Sequence, residues 1–306
     1  MKIVLIEPLG IDNNLILEFK NKLENNNHEF TYYNDKPIDE NDLINRIKDQ
    51  DIIMLANHPL SLDVLKTNPN VKYIAVAFTG LDHIPLDYCN DNNILVTNCS
   101  GYSTTSVSEQ VIGMTLSLLR YLYLNNDVTK EGKTSRIYGP GEEIKNKKIG
   151  IIGMGNIGQE TARLFNAFGA NVQYYSRTRK DVKYPFVDLD YLLKNSDIIS
   201  LHIPYNQNTH HFLNKERLDL INKNAILINT ARGKVIDNEY LSTLLNENKI
   251  KGAAIDVFDY EPPLKSDYPL INAKNILLTP HTAFLTKEAL IRRADIEFKN
   301  VLNYLK

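Results

Sequence analysis

The chain has 306 residues, 43% of them hydrophobic, which is enough for two ordinary domains with separate cores. Its 35 basic and 37 acidic residues give a formal net charge of -2, which argues against nucleic acid or an anionic membrane as partner. No apolar run reaches the roughly 20 residues that cross a bilayer, and no signal peptide is recognisable, so we expect a cytoplasmic protein. Cys89 and Cys99, the only cysteines, are too few for a disulfide framework or a zinc site.

Short β-rich segments alternate with helical segments through the first third of the chain. Strands are predicted in KIVLIE, EFTYY, DIIMLA and KYIAVA, and helices in NLILEFKNKL and IDENDLINRI. This βαβ alternation is typical of a parallel sheet that is covered by helices on both faces. It predicts a first α/β domain.

A long apolar stretch follows, from Thr104 to about Asn126, with few helix breakers. We expect one continuous helix that joins two domains and is a candidate hinge. Its part from Val107 to Leu122 could form a dimer interface or pack within the chain.

The β/α alternation then resumes, with strands predicted in KKIGIIG, NVQYYS, DIISLHIP, AILINTA, GAAIDVF and NILLTPH. The last stretch, TKEALIRRADIEFKNVLNYLK, is amphipathic and could return to the first domain. We therefore predict an α/β fold with two Rossmann-like, doubly wound domains. Residues 1–100 and 285–306 form a discontinuous, flavodoxin-like substrate domain, and residues 101–284 form the dinucleotide-binding domain.

A glycine motif, G-x-G-x-x-G, lies directly between the strand KKIGII and the helix that follows it. Its residues are Gly153, Gly155 and Gly158. In this setting the glycines allow a tight turn, close approach of the backbone to a pyrophosphate, and close packing of helix on strand. A glycine-rich turn without a ligand is the alternative, but the strand and helix around it favour a dinucleotide.

The residues after NVQYY bear on the choice of dinucleotide. An acidic residue is expected there to bind the ribose 2′-hydroxyl of NAD, but the chain has Ser176, Arg177, Thr178, Arg179 and Lys180. Cations and hydroxyl groups suit a 2′-phosphate, which arginine can bind in a two-pronged geometry. We therefore predict NADP(H) over NAD(H), with a solvated basic turn as the alternative.

Three further segments, LINTARGKVID, AAIDVFDYEPP and LTPHTAF, lie at or just past predicted strand ends, where ligands of open α/β sheets collect. They would bring Arg232, Glu261 and His281 together. With these motifs the sequence resembles the D-isomer-specific 2-hydroxyacid dehydrogenases over nearly its whole length. The glycine turn, N-T-A-R-G, D-V-F-x-x-E-P and T-P-H occur in the order and spacing of that family.

The resemblance implies reduction of a small 2-keto acid to a D-2-hydroxy acid. His281 would donate the proton, Glu261 would stabilise the imidazolium and orient the ring, and Arg232 would pair with the substrate carboxylate. Taken singly, each could be an ordinary surface or loop residue. Their joint occurrence in matched motifs favours catalytic roles for all three. The family also implies a homodimer.

The same resemblance assigns binding residues. The implied substrate residues are Phe78, Thr79, Gly80, Tyr102 and Phe284, with core packing as the alternative for the aromatic rings. Further implied cofactor residues are Asn156, Ile157, His202, Ile203, Pro204, Thr209, Thr230, Ala231 and Asp256. No metal site is expected, because the histidines in HIPYNQNTHH have no cysteine or carboxylate near them.

Some features separate the chain from particular relatives. Glu261 disfavours formate dehydrogenases, which carry Gln there, and His58 without Arg or Lys neighbours disfavours a phosphorylated substrate. Phe284 suggests an apolar substrate side chain. We expect no regulatory domain after residue 306. An NAD-dependent D-lactate or D-2-hydroxyisocaproate dehydrogenase and a dinucleotide-sensing corepressor remain as alternatives.

Overall fold

The computed structural model describes residues 1–133 and 138–306 and divides the chain into two compact units. The first unit comprises Met1–Ser103 and Leu285–Lys306, and the second comprises Thr104–Phe284. In the described ranges no helix is both long and apolar enough to cross a membrane.

The first unit contains a parallel five-stranded sheet in the order β2-β1-β3-β4-β5. This is the flavodoxin-like order. Strands β1, β3 and β4 are apolar and almost entirely buried, as expected for central strands of a parallel sheet with both faces covered. The strands are β1 Lys2–Leu5, β2 Glu29–Tyr32, β3 Ile52–Leu55, β4 Tyr73–Val76 and β5 Leu95–Asn98. The helices are α1 Asn13–Glu24, α2 Glu40–Ile47, α3 Leu62–Lys66, α4 Leu86–Asp91 and, from the end of the chain, α11 Lys287–Tyr304.

Helix α11 packs into the first unit through aromatic side chains. Phe298 stacks on Phe19 of α1, with ring centroids 4.0 Å apart, and Tyr304 stacks on Tyr73 of β4 at 4.5 Å. The C-terminal helix therefore packs against the sheet formed by the N-terminal part of the chain.

Strand β5 was not among the strands predicted from the sequence. It pairs with β4 along one edge of the sheet, and none of its side chains is fully buried. Leu95 alone is 49% exposed. An edge strand of this kind lacks the continuous apolar run that identifies its neighbours.

The second unit contains a parallel six-stranded sheet in the order β11-β10-β9-β8-β6-β7. An isolated parallel bridge between Tyr174 and Phe186 marks the position of a further strand beside β7. Counting that bridge, the order is the 3-2-1-4-5-6 arrangement of dinucleotide-binding sheets with one strand added. The strands are β6 Lys148–Ile152, β7 Asn171–Tyr175, β8 Ile198–Leu201, β9 Ile226–Asn229, β10 Gly252–Ile255 and β11 Ile276–Leu278.

Helices cover both faces of this second sheet. One face packs in a core with Val111 and Phe165, and the other in a core with Leu192 and Leu241. The helices are α5 Thr104–Leu119, α6 Leu122–Lys130, α7 Asn156–Ala167, α8 Leu189–Asn195, α9 Lys215–Leu218 and α10 Asn238–Asn246. The prediction of two doubly wound α/β domains is confirmed.

The prediction of one helix from Thr104 to about Asn126 is wrong. Helix α5 ends at Leu119, and α6 begins at Leu122 after Tyr121, whose φ of 54° is left-handed. The backbone N–H of Glu142 donates to the Leu119 carbonyl over 2.9 Å, so a distant segment binds a carbonyl at the end of α5. The break coincides with this tertiary contact, which the local sequence does not reveal.

Candidate active site

The glycine turn lies between β6 and α7, beside the point where the strand order of the second sheet reverses. Gly153 has φ of +99°, and a Cβ there would lie 2.5 Å from the His202 carbonyl oxygen. A Cβ on Gly158 would lie 2.0 Å from the Gly153 oxygen. By contrast, a Cβ on Gly155 would meet nothing within 4 Å. Two glycines thus allow the backbone to pack, and the third leaves open space at the start of α7.

Asn156 and Ile157 form the first turn of α7, together with Gly158. The N-cap of the helix is Gly155, which has no side chain to bind the first N–H groups. Ser108 on α5 donates to the Ile157 carbonyl over 3.3 Å and accepts from Thr161 over 3.1 Å. The start of α7 is therefore anchored to α5, with its positive dipole end directed at the turn.

The basic segment after β7 is a turn held by its own hydrogen bonds. Ser176 Oγ donates to the Thr178 carbonyl over 2.6 Å. The Tyr174 hydroxyl accepts from the Lys180 N–H over 2.8 Å and lies 3.0 Å from its carbonyl oxygen. Ser176 is buried, whereas Arg177, Thr178, Arg179 and Lys180 are exposed. The exposed basic side chains therefore extend from a backbone that these hydrogen bonds hold in place.

The loop after β8 packs against the glycine turn. The His202 N–H donates to the Ile152 carbonyl over 2.7 Å, and its Nε2 lies 2.9 Å from Ser200 Oγ. Desolvation lowers the pKa of His202 to about 3, so the ring is neutral at physiological pH. Ile203 and Pro204 continue the loop. Thr209 Oγ1 donates to the Pro204 carbonyl and accepts from the Asn206 N–H, both over 2.8 Å, so its hydroxyl shapes this loop.

Asn229 organises the turn after β9, and it was not among the predicted site residues although it lies within N-T-A-R-G. Its fully buried amide accepts from the Ala231 N–H over 3.0 Å and donates to the Arg232 carbonyl over 2.9 Å. Arg232 Nη1 donates to the Ala231 carbonyl over 2.8 Å. Thr230 Oγ1 is buried, and within residues 1–133 and 138–306 it has no hydrogen-bond partner.

Gly233 joins the arginine turn to the segment that carries Glu261. A Cβ on Gly233 would lie 1.9 Å from the carbonyl carbon of Phe258. The two backbones can meet this closely only because residue 233 has no side chain. The sequence signal for this contact is the glycine directly after Arg232.

His281 and Glu261 form a hydrogen-bonded pair. His281 Nδ1 lies 2.8 Å from Glu261 Oε1 and 2.9 Å from Oε2. The imidazole is mostly buried, with 14% of its side chain exposed, whereas 64% of the Glu261 side chain is exposed. The backbone of His281 has φ of 54°, a left-handed conformation that is uncommon for a residue with a Cβ.

Asp256 holds the loop that carries His281. Its carboxylate accepts from Thr279 Oγ1, from the Thr282 N–H over 2.9 Å and from the Ala283 N–H over 3.0 Å. Its backbone carbonyl accepts from the His281 N–H over 2.8 Å. Burial raises the pKa of Asp256, against the opposing effect of these hydrogen bonds. The residue predicted to contact cofactor thus also fixes the loop of the predicted proton donor.

The predicted substrate residues lie in both units. Phe284 belongs to the second unit, where its ring meets that of His281 edge-on, with centroids 5.5 Å apart. In the first unit, Phe78, Thr79 and Gly80 follow β4. The Phe78 and Tyr102 rings are buried, with 7% and 1% exposed, and their centroids are 6.1 Å apart. Thr79 accepts at its carbonyl from Asn98 over 2.8 Å.

These features fit a dinucleotide in the second unit. The space at Gly155 suits a pyrophosphate on the N-terminus of α7, and the orphaned Thr230 hydroxyl is a polar group in need of a partner. No group of three potential metal ligands occurs among the residues that the structure describes.

Comparison with known proteins gives the family of this two-domain α/β protein. The NAD binding domain of the D-isomer specific 2-hydroxyacid dehydrogenases matches residues 112–283. The chain belongs to this family.

Individual relatives are similar over most of their length. A glyoxylate reductase of Thermofilum pendens is 37% identical, in an alignment covering 89% of this chain and 83% of that protein. A hydroxypyruvate reductase of Thermotoga maritima is 35% identical, with 85% and 86% covered. Among solved structures, an acyclic imino acid reductase in complex with NADPH and D-Arg is 33% identical, has a TM-score of 0.90, and is matched over 100% of this chain and 97% of that one.

Proposed function

We propose that the protein reduces a small 2-keto acid to the D-2-hydroxy acid, with NADPH as the preferred cofactor. The observation that carries this proposal is the hydrogen-bonded pair of His281 and Glu261 in the same unit as the glycine turn. The relatives named glyoxylate reductase and hydroxypyruvate reductase support the substrate class.

The catalytic roles follow from the chemistry of carbonyl reduction. When bound, the nicotinamide supplies the hydride that reduces the carbonyl carbon. Arg232 pairs with the substrate carboxylate and polarises the keto oxygen. Because Glu261 binds Nδ1 of His281, we assign the proton that the oxygen receives to Nε2. The charge of Glu261 stabilises the imidazolium before that transfer.

The role of His281 as proton donor can be tested by removing its imidazole. His281→Ala should lower turnover at least a hundredfold, since general acid catalysis contributes about 10²–10⁴-fold. His28→Ala, which removes a half-buried histidine of the first unit that is not among the predicted site residues, is the control. Unchanged keto acid reduction by His281→Ala would contradict the assignment.

The preference for NADPH rests on the hydrogen-bonded basic turn after β7. Ser176, Arg177, Thr178 and Arg179 place hydroxyl groups and cations, and no carboxylate, directly after β7, where a 2′-phosphate is bound in NADP enzymes.

Cofactor preference can be tested by introducing or removing charge. Ser176→Asp places a negative charge on the turn, and we expect it to reduce the ratio of kcat/KM for NADPH to that for NADH at least tenfold. Arg177→Ala should raise the Kd of NADPH about tenfold and leave that of NADH unchanged. Arg163→Ala on α7, where the arginine pairs with Glu160, is the matched control. A wild-type enzyme that favours NADH would refute the preference.

The remaining assignments follow the same proposal. The second unit is the dinucleotide-binding domain, and the first unit supplies the carboxylate-binding backbone at Thr79 and Gly80, with Phe78, Tyr102 and Phe284 shaping specificity. We further propose a homodimer that acts in the cytoplasm.

Imino acid reduction is a second candidate, favoured by the similarity to the acyclic imino acid reductase. Product analysis separates the two: a keto acid supplied with ammonia would yield an amino acid in one case and the hydroxy acid in the other.

A further inference from the structure

A partly buried hydrogen-bond network lies between the turn of Arg232 and the segment of Glu261, and none of its members contributes to the chemistry described above. Asp259 accepts from Asn238 Nδ2 at Oδ1 and from the Tyr268 hydroxyl at Oδ2, both over 2.9 Å. Both lie in the second unit, Asn238 with 4% and Tyr268 with 6% exposed. We call Asn238, Asp259 and Tyr268 the Asp259 clamp.

The clamp also reaches the arginine turn. The same Asn238 amide nitrogen lies 3.4 Å from the Gly233 carbonyl oxygen, one residue after Arg232. Gly233 in turn packs against the Phe258 backbone, which precedes Asp259. One amide thus bridges the two segments, at the place where their backbones already touch.

Aromatic packing restrains the same segment as well. The Tyr268 ring meets Phe258 and Tyr260 edge-on, with centroids 5.8 Å and 5.6 Å away. The backbone N–H of Asp259 lies 3.4 Å from the Tyr268 hydroxyl. Each residue from Phe258 to Tyr260 is therefore held, whereas the following residue, Glu261, extends into solvent with most of its side chain exposed.

The geometry points to Asp259 as a positioning residue: through Asn238 and Tyr268 it holds the backbone of Glu261 so that its carboxylate stays within hydrogen-bond distance of His281 Nδ1. An exposed carboxylate gains little from an ion pair with a mobile partner, because ordering the side chain costs entropy and water screens the charge. Fixing the backbone two residues away lowers the first of these costs. The catalytic consequence rests on the proposed function, but the positioning itself does not.

Two variants test the clamp with different degrees of disruption. Tyr268→Phe removes only the hydroxyl and keeps the buried ring, and Asp259→Ala removes the whole carboxylate. Tyr240→Phe is the matched control, because it removes a hydroxyl that donates to another aspartate of the second unit, Asp219, over 2.6 Å.

The first readout requires no turnover. In protein labelled with ¹⁵N-histidine, the Nδ1–H proton of His281 bound to a carboxylate should give a downfield NMR signal, identified by its loss in His281→Ala. We expect this signal in the wild type and in Tyr240→Phe, and its broadening or loss in Tyr268→Phe and Asp259→Ala. An unchanged signal in both clamp variants would overturn the inference, even if their thermal stability fell.

The second readout is kinetic. In the clamp variants kcat for keto acid reduction should fall roughly tenfold, since a misplacement of about 1 Å can cost up to 10²-fold, while the Kd of NADPH stays unchanged. Equal losses in kcat and cofactor affinity would indicate general disruption and contradict a positioning role. If the wild type reduces no keto acid, the proposed function fails, and the NMR result still decides the positioning.

Discussion

Replacing Gly233 by alanine should disrupt the protein more than its small change in volume implies. A Cβ at this position would lie 1.9 Å from the Phe258 carbonyl carbon and 2.0 Å from its oxygen. Ordinary contact begins at 3.4 Å, so the two backbones must separate by about 1.5 Å. The obstructing atoms belong to a backbone, so rotation of a side chain cannot relieve the clash.

The expected cost is at the upper end of the range for overpacking, about 3 kcal/mol. For a unit of this size each kcal/mol shifts the thermal midpoint by about 2–4 °C, so the second unit should unfold roughly 6–12 °C lower. Turnover should fall as well, because the separation moves the backbones that carry Arg232 and Glu261 apart. Differential scanning calorimetry and initial rates measure the two effects.

Gly113→Ala is the control for this experiment. Gly113 lies within α5, and a Cβ there would meet nothing within 4 Å. Alanine should stabilise this helix by about 0.5–1 kcal/mol. A Gly233→Ala variant with the wild-type midpoint and rate would contradict the close approach of the two backbones.

Three further predictions concern the cofactor turn, the first unit and assembly. Gly155→Ala should keep the wild-type thermal midpoint but weaken NADPH binding at least tenfold by calorimetry, since its Cβ fills open space; unchanged affinity would argue against a pyrophosphate there. Burial raises the pKa of Glu297 well above its ordinary value, against the opposing effect of Arg293, so the folded state keeps a proton that the unfolded chain loses above about pH 4.3. The wild type should therefore become less stable as the pH rises further, whereas residue 297 stays neutral in Glu297→Gln. Between pH 5 and 8 the thermal midpoint of Glu297→Gln should rise relative to that of the wild type. A constant difference between the two midpoints would contradict this. Gel filtration with light scattering should give twice the chain mass of 35.0 kDa, and a monomer would rule out the homodimer.

The sequence predicts the α/β fold well because the central strands are recognisable locally. Segments such as KKIGII and DIIMLA are apolar runs of strand length, and burial on both faces of a parallel sheet requires such runs. Strand β5 lacks such a run because it lies at an edge. The break at Tyr121 has no local sequence signal, because the N–H that binds the Leu119 carbonyl comes from Glu142, in a segment remote along the chain.

The candidate site shows the same division. Residues within compact motifs, such as Gly153, Arg232 and His281, can be selected because chemistry requires those residue types at those strand ends. Asp259 gives no such signal, since its partners Asn238 and Tyr268 are 21 and 9 residues away and their contact exists only in the fold. The second role of Asp256, holding the loop of His281, is likewise visible only from its hydrogen bonds.

The reduction of 2-keto acids can be measured as initial rates of NADPH and NADH consumption with glyoxylate, hydroxypyruvate, pyruvate and branched 2-keto acids, with chiral analysis of the products. We expect faster turnover with NADPH, formation of the D-2-hydroxy acid from the keto acids that yield a chiral product, and loss of both in His281→Ala. Binding of the cofactors without turnover of any keto acid would contradict this expectation and favour a dinucleotide-sensing role.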